Sequence, residues 1–246
     1  MANSISKHLR QAERYILTGE TGQAKKIYED ILEQFPKNKK AREQYEKLNL
    51  PPKVEINRLI ALFESGKLEE AIEFGEEIAN TFPRASIVYE VLGATFLRLK
   101  NDKKAVKYYR KLLELRPRHV DALNNIGMVY YKFGEYKSAA ENYQKAIEIE
   151  PGFADAHYNL GNTFRKMSNL KQAFESYKKS LAISPNDLEV LTTFGHALKD
   201  YGEFAQAIEY YTKVLKLKPD SIHIQEMIAN VSKLKIKIES EFNTCL

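Results

Sequence analysis

Five prolines lie on one ruler. Pro83, Pro117, Pro151, Pro185 and Pro219 are each 34 residues apart. Ala71, Ala105, Ala139, Ala173 and Ala207 keep the same interval, as do Gly93, Gly127, Gly161 and Gly195, and the aromatics Tyr109, Tyr143, Tyr177 and Tyr211. A period held at several positions at once means that one supersecondary unit is being repeated. A unit this short cannot bury its apolar face alone, so its neighbours must stack against it.

The segment 120–153 shows what the unit is. Ile126, Gly127 and Tyr130 share one face of a first helix, and Ala139, Tyr143 and Ala146 share one face of a second. Gly127 and Ala139 are small where the two helices must approach closely. Gly134 falls in the turn between them, where a left-handed conformation is needed. Pro151 ends the second helix, because it cannot continue the hydrogen-bond ladder. The tyrosines are read as core that fills the volume between neighbouring units.

Full units read at 52–85, 86–119, 120–153, 154–187 and 188–221. An earlier one at about 5–38 carries Tyr15, Gly19, Ala24, Tyr28 and Pro36 in matching places. It is out of phase: Pro36 to Pro83 is 47 residues, one period plus 13. The extra piece, 38–48, reads as a helix that Pro51-Pro52 breaks. The expected organisation is therefore an N-terminal unit with a linker helix over 1–51, five tandem units over 52–221, and a capping helix and tail over 222–246. Ile224, Ile228, Val231, Leu234 and Ile238 keep helical spacing in that cap, and Glu239 to Leu246 is expected to fray.

These residues resemble the tetratricopeptide repeat family. The resemblance implies an all-α solenoid of antiparallel helix pairs in a right-handed superhelix, with first helices lining a concave groove. It also implies a non-catalytic scaffold that binds a protein or peptide segment. The opening, from Ala24-Lys25-Lys26-Ile27-Tyr28 through the double proline to Leu68-Glu69-Glu70-Ala71, is similar to N-terminal repeat regions of bacterial proteins that continue into a sulfotransferase, methyltransferase or glycosyltransferase domain. The alternative expectation is therefore the substrate-recruiting region of such an enzyme, with its catalytic domain on another chain or lost.

Composition narrows the partners. The net charge is +5, with 38 basic residues against 33 acidic ones and the signs interspersed. That pattern describes a mixed-charge surface rather than the one-sided basic stripe of a nucleic-acid binder, so nucleic acid is not the expected partner. No apolar run is long enough to span a bilayer, and Met1-Ala2-Asn3-Ser4-Ile5-Ser6-Lys7-His8 has no apolar core of the signal-peptide kind. A single cysteine, Cys245, excludes an intrachain disulfide and fits a reducing, cytoplasmic setting. Phosphate-loop, nucleophile-elbow and zincin motifs are absent. The histidines are scattered, and His157 falls at the core-facing fourth position of its unit. Neither a cofactor nor a metal is expected, and no catalytic residue is assigned.

Positions 2, 5, 6, 9, 12 and 13 of each unit face the concave side in this family. In the units at 52 and 86 they include Ile56, Ile60, Phe63, Ile87, Val91, Ala94 and Leu97, an apolar half that is either a groove or is covered by residues 1–50. In the next three units they are polar, with Lys132, Arg165, Lys166 and Lys199 balancing Asp121, Asp155, Glu189 and Asp200. The expected peptide-binding residues are Asn124, Asn125, Tyr131, Tyr158, Asn159, Asn162, Arg165, Thr193, His196 and Lys199. Asn125 and Asn159, one period apart, are expected to hold a partner's backbone, since a side-chain amide both donates and accepts.

Overall fold

The computed structural model describes residues 2–244, with side chains described over 5–240. Every regular element among them is a helix: α1 (Ala2–Leu17), α2 (Thr21–Gln34), α3 (Lys39–Leu48), α4 (Lys53–Glu64), α5 (Leu68–Thr81), α6 (Ser86–Arg98), α7 (Asp102–Leu115), α8 (Val120–Lys132), α9 (Tyr136–Ile149), α10 (Ala154–Lys166), α11 (Leu170–Ile183), α12 (Leu188–Asp200), α13 (Phe204–Leu217) and α14 (Ile222–Thr244). The expected all-α fold of helix pairs is what the chain adopts. The helices group into two compact units, Met1–Pro117 and Arg118–Leu246. Cys245 lies outside the described residues.

The turn inside each pair is set by one left-handed residue. Gly19, Gly66, Gly134 and Gly202 have φ between +77° and +90°, and Lys100 and Ser168 take the same place with φ of 57° and 59°. The next residue then folds back on the helix. The amides of Glu20, Lys67, Asn101, Glu135, Asn169 and Glu203 donate to the carbonyls five residues earlier, at 2.8–3.0 Å. That bond caps the first helix and aims the chain into the second.

Second helices end two residues before a proline. Phe35, Phe82, Glu150, Ser184 and Lys218 leave the helical region with φ between −122° and −138°, because the following pyrrolidine ring excludes the helical conformation. The next first helix then begins three residues after the proline and ties itself back to it. Tyr89 donates to the Pro83 carbonyl at 2.9 Å, Gln225 to that of Pro219 at 3.1 Å, and Arg42 to that of Pro36. His157 Nε2 lies 3.0 Å from the Pro151 carbonyl, so it carries the proton, since a carbonyl only accepts.

Arg42 explains the 13-residue insertion. α3 starts three residues after Pro36, as α6 does after Pro83, and uses the same fourth-position tether. It is a first helix with no second helix following it. Instead it closes the apolar face of the first pair: Ala12, Ala24, Tyr28, Ile31 and Ala41 form a core of their own, with Tyr45 and Leu48 packed on it. Among the described residues of 5–50 most of the apolar side chains pack on one another, while Leu17 and Leu50 stay exposed. Over Ile56, Ile60, Phe63 and Leu97 the stripe stays half-exposed, while Val91 is buried.

At the other end α14 runs to Thr244, past the point near Glu239 where fraying was expected. Ile224 and Val231 are buried against α13, with Met227 and Ile228 beside them, and the apolar spacing continues beyond them.

The tightest contact is between glycine and tyrosine. A Cβ placed on Gly127 would lie 2.6 Å from Cε1 of Tyr143, and one on Gly93, Gly161 or Gly195 would lie 2.5–2.8 Å from Tyr109, Tyr177 or Tyr211. Each ring therefore lies on the backbone of its own repeat's first helix.

Two outcomes follow from this packing. Gly127→Leu should destabilise the chain by roughly 1–3 kcal/mol or more by overpacking, and a thermal melt within error of wild type would disprove the contact. Ser168→Gly should instead stabilise it by up to about 1 kcal/mol, since glycine removes the Cβ penalty of the left-handed region. An unchanged or lower midpoint in denaturant would contradict that.

Candidate functional site

Within Arg118–Leu246 the helices α8, α10 and α12 present the polar face expected from the sequence. Its side chains are joined from one first helix to the next. Asn159 Nδ2 donates to Asn124 Oδ1 at 3.0 Å, and the Tyr158 and Thr193 hydroxyls are 3.2 Å apart. Both rungs join the fifth position of one unit to the sixth of the next, 35 residues on. Arg165 and Asp200 repeat the relation two turns later, twelfth to thirteenth, at 3.4 Å. The spacing is 35 rather than 34 because the fifth position of one first helix faces the sixth of the next, and the twelfth the thirteenth.

This placement changes the role of two asparagines. Asn124 is 6% exposed and accepts the Asn159 bond, so it supports the face from beneath rather than lining it. Asn159 is half-buried and gives one of its two N–H groups to Asn124. Asn125 is half-buried and lies one turn-face aside from that rung. Asn162 accepts a bond from the Tyr177 hydroxyl at 2.8 Å. An apolar-tyrosine reading alone does not reveal that tether, and nothing in the residue types marks it.

The aromatic and charged members sit around these rungs. Tyr158 also donates to Glu189 Oε1 at 2.9 Å, and its ring lies 6.2 Å from that of Tyr177. Tyr131 meets Tyr136 edge-on at 5.6 Å. Burial raises the hydroxyl pKa of both Tyr131 and Tyr158, so they act as neutral hydrogen-bonding groups. Arg165 and Lys199 share the Asp200 carboxylate, each at 3.4 Å. These pairs are long and partly exposed, so a ligand carboxylate or amide can compete for the cations at little cost. His196 stands edge-on to Tyr211 at 5.7 Å. Thus Tyr158, Thr193, Asn159, Asn124, Arg165 and Lys199 are brought together in direct contacts, while Tyr131 and His196 flank them.

Among the described residues no group of three His, Cys, Asp or Glu side chains is placed to hold a metal ion. Among the described residues no helix is long and apolar enough to cross a membrane.

Family matches cover most of the repeats. Residues 154–187 match Tetratricopeptide repeat, as do 87–119 with 188–221, and 8–38, and residues 129–168 match TPR repeat. The chain belongs to the tetratricopeptide repeat family. Solved structures agree on the fold. MamA (residues 41 to the end) from Desulfovibrio magneticus RS-1 is 25% identical, with a TM-score of 0.64 over 69% of this chain and 96% of that one. YrrB, a TPR protein with an unusual peptide-binding site, is 18% identical with a TM-score of 0.59 over 81% and 96%. Pseudomonas aeruginosa pilF is 20% identical with a TM-score of 0.61 over 77% and 96%. No curated protein matches the chain in sequence.

His196 gives this face a titration that can be followed. Burial first, then the Lys199 ammonium, lowers its imidazole from the ordinary 6.5, while Asp200 opposes the shift. A depressed base is preferred neutral in the folded state. Its contribution to stability is therefore complete above the unfolded value of 6.5 and is lost as pH falls below it through the lower folded pKa. By NMR the His196 midpoint should lie below 6.5, rise in Lys199→Ala and fall further in Asp200→Ala. Equal midpoints in all three would show that these charges do not reach the ring.

Proposed function

We propose that this tetratricopeptide repeat protein is a non-catalytic interaction scaffold, and that the face of α8, α10 and α12 holds an extended peptide or protein segment. The observation that carries the reading is the row of rungs. Because Asn159, Tyr158 and Arg165 are already held by the preceding or following helix, their rotamers are ordered before a ligand arrives. Preorganisation of this kind lowers the entropic cost of binding. Half-buried Asn125, Tyr131, Asn162, His196 and Lys199 fill the surface between them, a mixture of amide, phenol and cationic groups suited to peptide N–H, C=O and carboxylate groups.

The family and its structural relatives support the scaffold reading, YrrB with its peptide-binding site among them. Backbone recognition by Asn125 and Asn159 supplies affinity with little sequence selectivity. Selectivity comes from Tyr131, Tyr158, Arg165 and Lys199. The near-balance of charge on this face favours a ligand of mixed composition over a polyanion.

The experiment is a capture from cell extract by the full chain, identification of the bound segment by mass spectrometry, and titration with a synthetic peptide of that segment. Asn125→Ala and Asn159→Ala together should weaken binding, each lost hydrogen bond costing about 0.5–1.5 kcal/mol, with helical content unchanged. Affinity within error of wild type in that double variant and in Arg165→Glu would reject this face as the binding surface.

A further inference from the structure

One position of the repeat holds Phe74, Tyr108, Asn142, Ser176 and Tyr210 at successive intervals of 34. It lies on the second helix, on the side away from the polar face. In α7 it shows what the position is for. Tyr108 is 7% exposed and stacks on Phe96 with 5.4 Å between centroids and 4° between planes, with Tyr89 on its flank at 6.4 Å. Its hydroxyl donates to Glu76 Oε1 at 2.6 Å, and the Lys111 ammonium stands 6.0 Å over the ring. Tyr210 repeats part of this arrangement, 4.5 Å from Phe194 with Lys213 4.4 Å over its face.

Two periods after Tyr108 the surroundings recur without the ring. Gln144 stands for Glu76, His157 for Tyr89, Phe164 for Phe96 and Lys179 for Lys111, with Ser176 in place of the tyrosine. These five residues line one groove of about 740 Å³ between α9 and α11, over α10. Ser176 is too short to fill it, and its hydroxyl is turned back to the Gln172 carbonyl at 2.8 Å. His157 and Phe164 remain as the floor, 4% and 7% exposed.

We propose that this groove is a socket for one aromatic side chain, tyrosine or phenylalanine, presented by a protein partner. The occupant is indicated by the molecule itself, which fills the equivalent place with Tyr108. An incoming ring would lie against Phe164 in offset or parallel contact, the arrangement aromatic pairs favour. The Gln144 amide offers an acceptor for a tyrosine hydroxyl. The Lys179 ammonium is placed to stand over the ring face, as Lys111 and Lys213 stand over theirs. The site is independent of the polar face of α8, α10 and α12, and either can be engaged without the other.

The test uses the full chain and two probes, acetyl-Gly-Tyr-Gly-amide and acetyl-Gly-Leu-Gly-amide, followed by amide NMR. The tyrosine peptide should shift Gln144, His157, Phe164 and Ser176 saturably, with a dissociation constant on the order of 1 mM, as befits a single buried ring. The leucine peptide should bind at least tenfold more weakly. Ser176→Tyr should fill the socket from within, melt no lower than wild type and weaken the tyrosine peptide at least tenfold. The proposal is overturned by an absence of saturable shifts at these residues, by equal binding of the two peptides, or by undiminished binding to Ser176→Tyr. Loss of helical content in that variant would overturn it too, because the slot would then not admit a ring.

Discussion

The structure depends on a tyrosine ring laid on a bare stretch of helix backbone. In four consecutive units a glycine on the first helix meets a tyrosine sixteen residues later on the second, so close that even a methyl group would stand 2.5–2.8 Å from the ring. The contact fixes the distance between the two helices of a pair. Within Arg118–Leu246 the Tyr177 ring also reaches the next pair, 5.4 Å from Phe194. Interiors packed to this density transmit position from one unit to the next. The turns and the proline tethers then need only deliver the chain, and they do so with two recurrent devices, the left-handed residue and the fourth-position hydrogen bond.

The polar face inherits its geometry from that packing. First helices packed side by side can be joined by short side chains, and the joins fall at 35 residues rather than 34. A spacing of 34 identifies residues that are equivalent, such as Asn125 and Asn159. A spacing of 35 identifies residues that touch, such as Asn124 and Asn159. The difference of one residue separates equivalent positions on successive helices from the two ends of a supporting bond.

Much of the fold was legible because each cue has a steric cause that acts locally. Pro151 stops a helix wherever it stands, Gly134 takes a left-handed turn, and Gly127 admits a ring. The class, the helix pairs and the helical character of 38–48 follow from those cues. What α3 does was not legible, since its role rests on what packs behind it: only the tether from Arg42 to Pro36 marks it as a first helix that closes the core around Tyr28. The candidate site divides in the same way. The concave positions implied by the family resemblance include Tyr158, Arg165 and Lys199, but the sharing of Asp200 between two cations, and the burial of Asn124, depend on distances across helices that no linear spacing encodes.

A repeat protein also carries its own controls. The same backbone environment is presented several times with different side chains in it, so a departure from the pattern can be compared with what the pattern normally holds there. Lys100 and Ser168 in left-handed turns are departures that cost stability and leave the geometry intact. His157 in place of Tyr89 preserves a tether with a different donor. Ser176 in place of Tyr108 is of another kind, because it removes the occupant and leaves the walls standing. Loss of a buried ring costs several kcal/mol when the space cannot collapse. A groove of about 740 Å³ remains beside Ser176, where the Tyr177 ring against Gly161 sets the approach of α11 to α10. The packing that makes the array regular is thus the same packing that keeps an unfilled position open.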